Sequence, residues 1–275
     1  MKCRIILVAN IPEAAEMLKY SFEELGIPTV IQDDAALSGN DFDFNITIKA
    51  LRKGFTEQGL NGHKILFQTE ELWNRREKAF YDLSNGYKRV LEMYDENVKI
   101  PVGTKNVVYC PVGYTPTYSM GLPEPEERDI DILFWGGMTE RRSRVGADLN
   151  ERFKDKKIVF GSGIYGKERE ELIMRSKIVL NIKAHDLWSF GPIHVLPAIA
   201  NKRFVLAEKA NGGYGPFKPG RHFKEYNSFE NLFSQIEYWL EREEEREIFT
   251  QEALELVKKE CYFTPILKEA MRGLI

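Results

Sequence analysis

The chain has few cysteines, no long apolar run and no excess of charge of either sign. Its three cysteines (Cys3, Cys110, Cys261) form an odd, widely spaced set without a C-x-x-C pair. That excludes a disulfide-stapled secreted framework and spells no zinc site. The longest wholly apolar stretch, Ile5-Ile-Leu-Val-Ala9, is far too short for a bilayer span, and no cleavable signal precedes it. The expectation is a cytoplasmic protein without a membrane span. With 39 basic residues against 42 acidic ones, the net charge is −3. Such a balance argues against a protein whose main business is gripping bare phosphate backbone, though it leaves room for a local basic cleft. What is present is ordinary for a globular protein: 43% apolar and 29% charged residues exclude disordered, collagen and coiled-coil classes. A length of 275 residues suffices for two domains or one large one.

Strand and helix patterns alternate along the chain. Arg4 to Ala9 is a continuous apolar run, expected of a strand covered on both faces, and Asn10-Ile-Pro12 breaks it. Ala14, Ala15, Leu18, Phe22 and Leu25 then recur at helical spacing until Gly26. Further strands are predicted at 28–31, 43–48, 64–68 and 106–110. Residues 121–129 bring two prolines and four acids without apolar periodicity, the best linker in the sequence. Beyond it the pattern restarts. Strands are predicted at 130–135, 157–160, 178–182, 203–206 and 222–226, and helices near 139–153, 166–176 and 191–201. Helices follow to the C-terminus, one capped by Ser228. The fold class read from this is α/β, with two Rossmann-like domains facing a cleft. The N-terminal domain covers 1–120, the linker 121–129 and the C-terminal domain 130–260.

In open α/β sheets, ligands gather at the carboxyl ends of the strands. After the strand at 130–135 comes Gly136-Gly-Met-Thr-Glu-Arg-Arg142. The glycines admit a close ligand, and amides at a helix start suit an anion. Two arginines in a first helical turn oppose the helix dipole, a cost that a bound phosphate would repay. Gly161-Ser-Gly-Ile-Tyr-Gly166 matches G-x-G-x-x-G literally, with Asp186 twenty residues after Gly166, but it follows the second strand of its domain rather than the first. It reads as a tight loop, with a nicotinamide-dependent oxidoreductase as the alternative. Asn181, Lys183, His185 and Ser189 gather polar groups at the next strand end, and His194 stands near the following helix start. The His185-Asp186 pair is weak as a metal site. Asp41-x-Asp43 and Asp129-x-Asp131 have the D-x-D form but precede strands, so they read as entry turns, and no metal site is predicted. In the first half, Glu70 and Glu71 follow the strand at 64–68, and Trp73 offers a stacking face.

Four stretches together resemble the family-one-like, spore-maturation-type glycosyltransferases of the two-Rossmann GT-B architecture. They are Phe67-Gln-Thr-Glu-Glu-Leu72, Cys110-Pro-Val-Gly-Tyr-Thr-Pro116, Asp129 to Arg142, and Pro219-Gly-Arg-His-Phe-Lys-Glu-Tyr-Asn-Ser228. Their order and spacing make the resemblance specific. It implies sugar transfer from a nucleotide-diphosphate sugar, such as a UDP-sugar, without a bound metal or other cofactor, and a C-terminal helix at 261–275 that would pack back toward the N-terminal domain. Arg141 or Arg142 and the Gly136-Gly137 turn would face the diphosphate, with Lys183, His194 and Glu208 around the donor. Glu70 is the candidate base for the acceptor hydroxyl, and Asn10, Trp73 and Tyr114 are the acceptor-side candidates. The acceptor would be a glycan, a small molecule or a hydroxymethylated base in phage DNA, the last placing the protein in a host cytoplasm. Phe190-Gly-Pro-Ile-His194 stands where the group often carries F-E-x-x-R, so the usual acid is glycine and the usual arginine is histidine. That departure keeps a non-catalytic nucleotide-sugar-binding protein as an alternative.

Overall fold

The computed structural model describes residues 1–8, 11–48, 59–69, 86–99, 106–184 and 190–275. The chain divides into two units, one of Met1–Thr117 with Tyr262–Ile275 and the other of Tyr118–Cys261.

In the first unit, short apolar runs form β1 (Cys3–Leu7), β2 (Thr29–Asp33), β3 (Phe44–Ile48), β4 (His63–Gln68), β5 (Arg89–Glu92) and β6 (Val107–Tyr109). They make one parallel sheet in the order β2-β1-β3-β4-β5-β6. Ile5, Ile6, Ile46, Ile65, Leu66 and Phe67 are wholly buried, as strands covered on both faces require. Helix α1 (Pro12–Glu24) begins on the proline and buries Ala14, Ala15, Leu18 and Phe22. A short helix, α2 (Asp95–Lys99), follows β5. The sequence reading missed β5, a four-residue strand with a charged residue at each end.

In the second unit, β7 (Ile130–Trp135), β8 (Ile158–Gly161), β9 (Ser176–Asn181), β10 (Phe204–Glu208) and β11 (Lys224–Tyr226) form a parallel sheet in the order β11-β10-β9-β7-β8. Helices α3 (Glu140–Arg152), α4 (Gly166–Met174) and α5 (Pro192–Ala200) connect successive strands. Helices α6 (Phe229–Leu240) and α7 (Glu243–Glu260) follow β11, and Ser228 caps α6 by accepting from the Asn231 amide at 3.1 Å. One apolar core runs through Ile132, Phe134, Leu149, Leu180, Leu206 and Trp239. Both sheets follow the doubly wound order 2-1-3-4-5, continued by a sixth strand in the first unit, and the switch point lies between the first and third strands of each sheet.

Helix α8 (Phe263–Ala270) belongs to the first unit. It packs on α1, where Glu24 accepts from Tyr262 at 3.0 Å and from Thr264. Arg89 donates to the carbonyls of Ala270 and Arg272, both at 2.9 Å.

The boundary between units differs from the expected linker. Residues 121–129 belong to the second unit. Glu124 accepts from the buried Arg203 at 2.8 Å and from Arg128 at 2.9 Å, and Arg128 also pairs with Glu247. A stretch without apolar periodicity is thus fastened by charge, and the crossings fall after Thr117 and after Cys261.

Candidate functional site

The carboxyl edge of the second sheet is organised by Thr139 and two arginines. Gly136 ends the β7 exit at φ +151°, a conformation that favours glycine, and a Cβ there would meet Arg142 Nη1 at 3.2 Å. Nothing lies within 4 Å of a Cβ added at Gly137, so the backbone there faces open space. Thr139 caps α3 by accepting from the Arg142 amide at 3.3 Å, and its hydroxyl donates to the Ala184 carbonyl at 2.9 Å. The β7 and β9 exits are thereby tied together at the switch point.

Arg142 strengthens that tie. Its Nε and Nη2 donate to the Ile182 carbonyl at 3.0 and 2.6 Å, and Nη1 donates to the Gly137 carbonyl at 2.7 Å. The side chain is 7% exposed and lies over the Phe134 ring at 5.1 Å. Burial lowers its pKa, followed by the neighbouring Arg141 charge. The guanidinium therefore spends its donors on the carbonyls of two strand exits, which leaves Arg141 as the member of the expected Arg141-or-Arg142 pair with a side-chain anion for a partner.

Arg141 has a different setting. Its Nη1 donates to Glu208 Oε2 at 2.9 Å and to the Lys183 carbonyl at 3.1 Å, while Nη2 donates to Glu208 Oε1. The Phe229 ring lies 5.2 Å from the guanidinium carbon. Lys183 Nζ stands 3.8 Å from Glu208 Oε1, and the Lys183 amide donates to Oε2 at 3.0 Å. Three predicted residues (Arg141, Lys183, Glu208) thus converge, half-buried, on the ends of β9 and β10 and the start of α3. Two cations and one carboxylate make a polar group suited to an anion.

No curated protein matches the chain in sequence. Residues 124–271, more than half of the chain, match the family model described as "Glycosyl transferase-like". The chain belongs to that glycosyltransferase family. HepE of Anabaena, solved with UDP and glucose, is similar over 100% of this chain and 99% of its own, with a TM-score of 0.67 and 10% identity. WaaG, described as a glycosyltransferase involved in lipopolysaccharide biosynthesis, is similar over 98% and 100% with a TM-score of 0.63 and 12% identity. A glycosyltransferase from Rickettsia africae is similar over 99% of each chain with a TM-score of 0.61 and 13% identity. At these identities the structures establish the fold, two parallel α/β sheets of GT-B type.

The remaining predicted residues of this glycosyltransferase separate into two sets. His194 is exposed in the first turn of α5, and its amide donates to the Gly191 carbonyl at 3.2 Å. Tyr114 is buried: its carbonyl accepts from the Phe263 amide at 2.9 Å and its ring lies 6.3 Å from that of Tyr262. It anchors the C-terminal segment to the first unit and offers no open face to an acceptor. Asn10, Glu70, Glu71, Trp73, His185, Asp186 and Ser189 lie outside the described residues.

The D-x-D pairs are accounted for by ion pairing. Asp129 accepts from Arg175 at 2.7 and 2.6 Å and pairs with Lys157, while Asp131 pairs with Lys177 at 2.8 Å. Asp41 pairs with Lys2 at 2.6 Å. Among the described residues no group of three or more metal-ligating side chains converges, and no helix is long and apolar enough to cross a membrane.

Sequence reasoning missed Tyr226, which ends β11 opposite Glu208. Its hydroxyl is buried without a hydrogen-bond partner among the described residues. The tyrosine of the Pro219–Ser228 motif was visible, but nothing in the sequence placed it beside Glu208.

Proposed function

We propose that this glycosyltransferase moves a sugar from a nucleoside-diphosphate donor, bound at the carboxyl edge of the second sheet, to an acceptor hydroxyl. The observation that carries the reading is the convergence of Arg141 and Lys183 at the switch point, beside the open backbone of Gly137 and the start of α3. Breaking a sugar–phosphate bond leaves negative charge on the diphosphate. A guanidinium, an ammonium and helix-start amides are the donors that neutralise that charge. The HepE structure with UDP and glucose supports a UDP-sugar as donor. His194, exposed in the first turn of α5, is the further donor we assign to a phosphate or sugar oxygen. The four motifs support assignment to the spore-maturation-type group.

On the acceptor side, Glu70 is the base we assign to the acceptor hydroxyl. The acceptor is a glycan, a small molecule or a hydroxymethylated DNA base. The test is a thermal-shift and turnover panel of nucleotide sugars with wild type, Arg141→Ala and Glu70→Gln. Loss of one preorganised donor should cost about 100- to 1,000-fold in turnover for Arg141→Ala. Near-wild-type turnover in that variant would sink the donor site, and unchanged kcat in Glu70→Gln would remove the base.

A further inference from the structure

Glu208 and Tyr226 are the last residues of β10 and β11 and are register partners in the parallel ladder. The Glu208 carboxylate is already committed. It accepts from both terminal nitrogens of Arg141 and from the Lys183 amide, with Lys183 Nζ 3.8 Å away. A carboxylate seated in this way on a guanidinium fork presents oxygens much as a phosphate would. The protein therefore carries its own anion on the cations assigned above to the diphosphate.

Tyr226 has the opposite problem. It is 1% exposed, and its hydroxyl has no hydrogen-bond partner among the described residues. Its ring belongs to the apolar core, a role phenylalanine would fill without burying an unsatisfied donor. The hydroxyl nonetheless lies in the field of Glu208, Arg141 and Arg142, and burial, reinforced by Glu208, raises its pKa far above that of an ordinary phenol. It stays protonated, and so remains a donor, throughout the working range of pH.

We propose that Glu208 is the resident anion of the donor site, and that Tyr226 is a positioning residue whose hydroxyl receives the Glu208 carboxylate when a ligand diphosphate takes Arg141 and Lys183. The proposal rests on the nucleoside-diphosphate reading above. A ligand entering the site must displace Glu208, whose side chain is only 12% exposed. Left unpaired there, the carboxylate would oppose binding. A hydroxyl on the adjacent strand gives it a second partner, so the site exchanges one hydrogen-bonded state for another. Apparent affinity then depends on how readily Glu208 leaves Arg141.

The test is a double-mutant cycle on the full chain. Binding of UDP, GDP and inorganic pyrophosphate is measured by calorimetry for wild type, Glu208→Gln, Tyr226→Phe and the double variant, with the Tm of each. Removing the competing charge in Glu208→Gln should tighten binding about tenfold. Tyr226→Phe should weaken it about tenfold in the wild-type background, leave it unchanged in the Glu208→Gln background, and leave Tm equal or higher. Glu208→Ala, measured alongside, should follow Glu208→Gln. Equal weakening by Tyr226→Phe in both backgrounds, no weakening at all, or looser binding in Glu208→Gln would overturn the proposal while leaving the diphosphate reading in place. A wild-type chain that binds none of the three probes would overturn both.

Discussion

Arg142 holds the carbonyl oxygen of Ile182 with two donors, at 3.0 and 2.6 Å, across 40 residues of sequence. Its neighbour Arg141 instead meets a carboxylate, so adjacent residues of one helical turn have different partners, backbone carbonyls for one and Glu208 for the other. The division is measurable. Arg142→Ala leaves the Ile182 and Gly137 carbonyls without these donors, at a cost of about 1–3 kcal/mol for each group left buried and unpaired. Denaturant unfolding should therefore show a loss of about 3 kcal/mol for Arg142→Ala. Arg141→Ala, half-buried and at the edge, should lose far less stability but most of its donor affinity. Equal stability losses in the two variants would contradict the assignment.

The Asp129 and Asp131 carboxylates lie at the amino end of β7 and are held by Arg175, Lys157 and Lys177. The Arg175 bond, then Lys157, holds the Asp129 pKa below the usual carboxylate range. A depressed carboxylate pKa contributes stability above the unfolded-state value and loses it as pH falls through the folded one. Asp129→Asn should thus flatten the decline of Tm on the acid side while leaving turnover at saturating donor unchanged. A loss of turnover that added divalent cation restores would return this pair to the chemistry.

Much of the architecture was legible in the sequence because it rests on local signals. The runs at Ile130–Trp135 and Ser176–Asn181 are mostly apolar and largely buried, and Thr139 and Ser228 advertise helix starts. The candidate site is legible in part: Arg141 and Lys183 stand just after predicted strands, and Glu208 enters through the family resemblance. What could not be read is whatever depends on partners distant in sequence. Arg142 looked like a phosphate ligand because Ile182 is invisible from the sequence around it. Glu124 looked like a linker residue because Arg203 lies 79 positions on.

That last contact gives a third prediction. The segment 121–129 has the composition of a protease-sensitive linker, yet Arg203 is fully buried against it and Arg128 is paired twice. Brief trypsin treatment of the native protein should spare the bond after Arg128. Glu124→Ala removes the acceptor shared by Arg203 and Arg128, and cleavage there should become several-fold faster. Rapid cleavage of the wild-type chain at this bond would restore the segment to a linker.

Glu92 supplies the alkaline counterpart to Asp129. It ends β5 in the first unit and is wholly buried. One carboxylate oxygen accepts from the Tyr94 amide at 2.9 Å and from Asn97 Nδ2 at 3.0 Å, while Oε2 has no hydrogen-bond partner among the described residues. Burial pushes its pKa up to about 8, against the opposing pull of those hydrogen bonds. At neutral pH the folded protein therefore holds a proton on Glu92 that the unfolded chain has released. Stability is then greatest below the ordinary glutamate pKa, and falls as pH rises until the folded group itself ionises near 8. Glu92→Gln keeps the acceptor oxygen and removes the titration. Thermal unfolding between the ordinary glutamate pKa and about 8 should show a Tm that falls more steeply for wild type than for Glu92→Gln. Parallel profiles for the two proteins would mean that Glu92 is ionised in the native state.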